Sequence, residues 1–193
     1  MNYVEYGKEN KYDDDIFFQK YSQMSRSQQG LAGAGEWETL RKLLPDFKDK
    51  RVLDLGCGYG WHCIYAMEHG ASSVVGVDIS HKMLEVAKEK THFPQVEYKC
   101  CAIEDVEFPE ESFDVILSSL AFHYVADYEI LVKKIYRILK SGGNLVFTVE
   151  HPVFTAYGTQ DWHYNEKGEI LHFPVDNYCL LYTSDAADEG LGV

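Results

Sequence analysis

The rhythm of apolar and polar positions changes near residue 51. Before it, "YDDDIFFQKYSQMSR" at residues 12–26 sets Ile16, Phe17, Lys20, Tyr21 and Met24 so that the apolar and aromatic members recur at helical spacing. This predicts one amphipathic helix, with the aspartates ahead of it suited to its N-terminal dipole. "LAGAG" at residues 31–35 breaks the pattern, and Trp37, Leu40, Leu43 and Leu44 form a second helical stripe that ends at Pro45. From Arg51 onward short apolar runs alternate with helical ones. Strands are predicted at residues 52–55, 73–77, 96–100, 113–118 and 144–149. Helices are predicted at residues 61–69, from the Ser80 cap to about Lys90, and from near Asp127 until Gly142 and Gly143 stop it. This alternation predicts an α/β fold with a parallel sheet covered on both faces, in which a ligand sits at the carboxyl ends of the strands where strand order reverses.

A length of 193 residues suits one domain with a real core. No apolar run approaches the roughly 20 residues of a membrane span. The first fifteen residues carry Glu5, Glu9 and three consecutive aspartates where a secretory leader has a basic and then an apolar stretch, so a cytoplasmic location is expected. Cys57, Cys63, Cys100, Cys101 and Cys179 show no CxxC pair, which suggests reduced thiols and neither a disulfide framework nor a metal site. The net charge of -13 disfavours nucleic acid as a partner, and nothing here fixes an oligomeric state.

The last stretch, "CLLYTSDAADEGLGV" at residues 179–193, follows neither period. It resembles one translated frame of the adapter that transposase-based methods attach to sequencing libraries, and is set aside as a non-native tail. Without its Asp185, Asp188 and Glu189 the acidic excess falls from 13 to 10, so the charge argument is unchanged.

"RVLDLGCGYGW" at residues 51–61 carries the chemistry. Gly56, Gly58 and Gly60 follow the first strand, where missing side chains let a ligand approach the main chain. Asp78 ends "VVGVD", 22 residues beyond Gly56, where such a fold places a carboxylate for ribose hydroxyls. In the dinucleotide fingerprint the third glycine would fall at Trp61, which is too bulky for that packing.

"VLDLGCGYG" with "VVGVDIS" resembles motif I and the following acidic motif of class I S-adenosylmethionine-dependent methyltransferases, and the likeness covers most of residues 50–150. It implies a Rossmann-like sheet whose last two strands have no counterpart before Cys179, and a division into an N-terminal helical lid (1–45), a cofactor-binding core (50–150) and a substrate-side insertion (151–178). It further implies S-adenosyl-L-methionine as cofactor. Asp54 would serve the methionine end, Gly56, Cys57 and Gly58 would pass beneath the cofactor, Asp78 would hold the ribose, and Ile79 would pack on the adenine. "CAIEDVEFPEESFD" resembles the loop that reads the adenine edge. Ala102 stands there where an aspartate is common, so main-chain contact at Ile103 is expected ahead of side-chain contact from Glu104. In "LSSLAFHYV", Ser118 and Ser119 would lie near the sulfonium, with His123 and Tyr124 toward the acceptor.

Methyl transfer needs alignment more than a base, except where the acceptor arrives protonated. His123 and His151, after the fourth and fifth strands, are the candidate bases, and Tyr21, with Phe17 and Phe18, is a candidate to close over the sulfonium by ring contact. The expected activity is methyl transfer to a small-molecule acceptor. The alternatives are a non-catalytic nucleoside-binding module and an NAD-dependent oxidoreductase.

Overall fold

A computed structural model describes residues 10–151, 153 and 161–175. The chain divides into two compact units, Met1–Thr148 and Val149–Val193. The proposed tail at 179–193 and much of the 151–178 insertion lie outside the described residues.

Among the described residues the first unit runs from a 3-10 turn, Lys11–Asp13, through α1 (Asp15–Ser22), α2 (Ser25–Gln29) and a second 3-10 turn (Gly30–Gly33) to α3 (Trp37–Leu40). The single helix predicted for residues 12–26 is thus two helices and a turn. The cause is local: Asp14, with extended backbone, takes the cap of α1 by accepting from Ile16 N and Phe17 N, which leaves Tyr12 and Asp13 outside the helix. Extended backbone at Met24 separates α1 from α2.

The sheet follows as β1 (Arg51–Leu55), β2 (Ser73–Asp78), β3 (Val96–Cys100), β4 (Phe113–Ser119) and β5 (Leu139–Thr148), with α4 (Trp61–Glu68) after β1, α5 (His81–Lys90) after β2 and α6 (Tyr128–Ile138) after β4. Its order is β3-β2-β1-β4-β5, every pair parallel. Caps act where the sequence put them, Ser80 Oγ accepting from Met83 N and Asp127 from Ile130 N. β5 departs from expectation, for α6 ends at Ile138 and Leu139 already pairs with Phe113. Gly142 and Gly143 lie within a register irregularity, since the next pair is Val115 with Asn144. Hydrogen bonds from Glu111 N and Ser112 N to the carbonyls of Arg137 and Ile138 hold the end of α6 onto the start of β4 and fix that early pairing.

Side-chain alternation builds two cores. Leu53, Leu55, Val75, Val77 and Ile116 pack with Leu131 and Ile135 of α6 on one face, while Val52, Val74, Val115 and Leu117 pack with Cys63 and Ala66 of α4 and Leu84 of α5 on the other. Burial on both faces explains why the strands read as nearly continuous apolar runs.

In the second unit β6 (His163–Tyr164) pairs antiparallel with β7 (Ile170–His172), and Asn165 Oδ1 accepts from Lys167 N and Glu169 N across the turn.

One sheet row explains a glycine. Asp54, Gly76 and Tyr98 are register neighbours, and the Tyr98 ring leans across Gly76, its hydroxyl 2.7 Å from Thr91 Oγ1. A Cβ on Gly76 would lie 2.7 Å from two ring carbons of Tyr98 and 2.9 Å from Cys57 Sγ. Gly76→Ala is therefore expected to cost about 1–3 kcal/mol by overpacking. Urea unfolding reads this directly, and an unshifted midpoint would show that the ring swings aside freely.

Candidate functional site

The order of strands puts the reversal between β1 and β4, and the glycine turn leaves β1 at that point. Gly56 N and Cys57 N both donate to Val77 O, at 2.8 and 2.9 Å, which stitches the turn to the end of β2. The two glycines then do different work. Gly56 has φ +77°, and a Cβ there would meet the Ala121 methyl at 2.4 Å, so the loop after β4 occupies its side-chain position. Gly58 has φ +50°, and a Cβ there would face open space. Of the two, Gly58 is the bare surface of the hollow, while Gly56 lets the β4 loop close against it.

Asp78 sits at the tip of β2, 9% exposed, with Oδ2 accepting from Gly58 N at 2.8 Å and Oδ1 from Ser80 N at 2.9 Å. Each oxygen keeps a second lone pair. Burial pushes the Asp78 carboxyl above the usual carboxylate range despite these bonds. Asp54 is 1% exposed and reaches Cys63 of α4. Its Oδ2 accepts from Cys63 Sγ at 3.4 Å, while its Oδ1 is buried without a hydrogen-bond partner. Burial pushes Asp54 up to about 7. Two carboxyls held out of water, one with an orphaned oxygen, make a site that a cationic donor would relieve.

The other expected positions divide. Cys57 is buried under the turn, near Gly76. The carbonyl of Ile79 accepts from Asn10 Nδ2 and Cys100 Sγ. Ala102 is buried and caps the 3-10 turn Ile103–Asp105, in which Ile103 packs against the α6-side core and reaches toward Gly56. The backbone carbonyl of Glu104 accepts from Lys134 Nζ at 2.6 Å. Ser118 departs from expectation: its Oγ is buried and donates to Leu55 O at 2.8 Å, lacing β4 to β1 instead of facing a ligand. His123 is exposed on the 3-10 turn Phe122–Tyr124, its ring 4.3 Å from that of Tyr124. His151 belongs to the second unit, where its Nδ1 accepts from Val153 N. Tyr21 packs edge-on against Tyr59 of the glycine turn and against Tyr12, with centroids 5.7 and 5.3 Å apart. Burial pushes its phenol above the ordinary value, so at neutral pH it can donate a hydrogen bond but cannot serve as a base.

A polar cluster at the tips of β4 and β5 was not anticipated. Arg26 grips both oxygens of Glu36 at 3.0 and 2.8 Å; Ser119 Oγ donates to Glu36 Oε1 at 3.2 Å and lies 3.1 Å from Thr148 Oγ1. Leu120, with φ +52°, donates its N–H to that same Thr148 hydroxyl. His62 shares an apolar crevice with Ser118, Ser119, Leu40 and Val146, and burial pushes its imidazole down to about 4. Only the place of His62, two residues after the third glycine, signals it in sequence; the other contacts join segments with no common motif.

A family model described as "Methyltransferase domain" matches residues 53–147. An S-adenosylmethionine dependent methyltransferase structure from Listeria monocytogenes is 57% identical, with a TM-score of 0.70 over 75% of this chain and 68% of that one. One from Mesorhizobium loti is 41% identical, with a TM-score of 0.72 over 77% and 68%. The chain belongs to the S-adenosylmethionine-dependent methyltransferases. An uncharacterised Haemophilus influenzae protein is also 37% identical over 180 residues, 86% of this chain and 68% of that protein. The residues of this methyltransferase fit its cofactor on two structural counts, the open cradle at Gly58 and the orphaned Asp54 Oδ1.

The buried Asp54 sets a pH dependence. Its folded value of about 7 exceeds the unfolded value of about 4, so between those values the folded chain holds the extra proton. Stability contributed by the protonated carboxyl is full below about pH 4 and is lost as pH rises to about 7. Asp54→Asn in the cofactor-free protein is expected to flatten that slope and to gain on the order of 2–4 kcal/mol at pH 8. Urea midpoints taken from pH 4 to 8 measure it; parallel curves for the two proteins would contradict the buried-acid account.

Proposed function

We propose that this methyltransferase passes the methyl group of S-adenosylmethionine to a small-molecule acceptor at the tips of β1 and β4. The observation that carries the reading is Asp78, fixed by Gly58 N and Ser80 N beside the bare Gly58 surface. In it, Asp78 accepts from the ribose hydroxyls with its remaining lone pairs, and Asp54 Oδ1 accepts from the ammonium of the methionine end. Ile79 packs on the adenine, whose edge meets the main chain at Ala102 and Ile103, with Glu104 beside it. The cofactor supplies an electrophilic methyl on a good leaving group, so the chain's task is alignment and exclusion of water.

On the acceptor side, Ser119, Thr148 and Glu36 offer hydrogen bonds. His62, held neutral, offers an imidazole without charge. His123 is the base proposed for an acceptor that arrives protonated. A small acceptor is supported by the acidic balance of the chain, which repels a phosphate backbone. A cytoplasmic site of action is proposed from the free thiols at Cys57, Cys63, Cys100 and Cys101; among the described residues no helix is long and apolar enough to cross a membrane.

Two measurements test the reading. Methyl-labelled S-adenosylmethionine, offered with fractionated metabolite pools, should label a low-mass product. Asp78→Ala should weaken S-adenosylhomocysteine binding roughly 5- to 150-fold, the span of about 1–3 kcal/mol for hydrogen bonds to a charged group. Unchanged affinity would remove Asp78 from the site.

A further inference from the structure

Directly beside the glycine turn lies a set of contacts that holding the cofactor does not by itself require. Asp13 Oδ1 accepts from Ser80 Oγ at 2.6 Å and from Lys82 N at 3.1 Å, and its Oδ2 accepts from His81 N at 3.3 Å and Asn10 Nδ2 at 2.7 Å. A carboxylate 67 residues away thus caps α5, whose first N–H groups have no partner within the helix. The sequence frees it for this: of the three consecutive aspartates Asp14 caps α1 and Asp15 pairs with Lys82, which leaves Asp13. From the same short turn, the Tyr12 hydroxyl lies 3.2 Å from that of Tyr124, in the loop after β4.

In the sheet β1 lies between β2 and β4. A turn anchored to the residues after β2 on one side and after β4 on the other therefore spans the tip of β1, where Gly58 opens the hollow. Ring contacts run the same way, from Tyr12 to Tyr21 and from Tyr21 to Tyr59 inside the glycine turn. Ser80 joins this strap to the floor, donating its hydroxyl to Asp13 and its N–H to Asp78.

We propose that Asp13 is a positioning residue for the cofactor: by capping α5 it latches Lys11–Asp13 across the glycine turn, and the latch must open for S-adenosylmethionine to enter and for S-adenosylhomocysteine to leave. The proposal rests on the reading that the hollow holds that cofactor. It makes Asp13 a determinant of cofactor exchange rather than a ligand. Losing one capping carboxylate predicts roughly three- to thirtyfold faster release.

The test uses the full chain and S-adenosylhomocysteine, with association and dissociation rates from stopped-flow fluorescence and hydrogen exchange over residues 10–22. Asp13→Ala should raise the dissociation rate roughly three- to thirtyfold and speed exchange over those residues in the complex. Asp13→Asn, which keeps an acceptor oxygen, should recover part of the slow release. If Asp13→Ala does not fold, Tyr12→Phe takes its place; faster release from it supports the latch and unchanged release overturns it. Binding with rates unaltered by Asp13→Ala overturns the latch alone. Failure of the unaltered chain to bind S-adenosylhomocysteine overturns the cofactor reading and the latch with it.

Discussion

The site depends on one set of backbone hydrogen bonds, those that tie the turn after β1 to the end of β2. Two successive N–H groups share the Val77 carbonyl and a third goes to Asp78, so the turn and its acidic neighbour are a single rigid piece before any ligand arrives. Preorganisation of this kind removes ordering costs that binding would otherwise meet. It also explains why the glycines are not equivalent. The left-handed backbone at Gly56 makes room for Ala121, and the same backbone at Gly58 leaves open space beside Asp78.

Rigid geometry here is bought with buried acid. Asp54 is enclosed with one oxygen unpartnered, and Asp78 is nearly as enclosed, its like-charged neighbour Asp13 close enough to raise it further. In the free protein these groups are costly, which fits the general link between functional sites and perturbed titration. In the proposed reading, a donor bearing sulfonium and ammonium charge would offset that cost. The acidic balance of the whole chain acts in the same direction at longer range.

The polar cluster at the tips of β4 and β5, the proposed acceptor side, is organised differently, from segments far apart in sequence. Glu36 is joined to Arg26 ten residues away and to Ser119 eighty-three residues away, and Leu120 is held left-handed by its bonds to Thr148. Backbone strain of that kind persists only where surrounding structure over-determines it. Here the loop after β4 has to satisfy β5, Gly56 and the N-terminal segment at once.

The sequence by itself determined β1 to β4, α4 and α5 to within a residue or so, together with the glycine turn and the acidic residue at the end of β2. These are local properties: doubly buried strands are apolar runs, and caps and turns are written in adjacent residues. Tertiary structure decided the rest. That Asp13, left over once Asp14 has capped α1 locally, goes on to cap α5 follows from where α5 stands. Ser118 turns inward because Leu55 offers it a carbonyl across the sheet. The β5 irregularity follows from how the end of α6 is pinned to β4. In each case the deciding partner lies on another element, and only packing brings it within the roughly 3 Å at which a hydrogen bond selects one arrangement over its competitors.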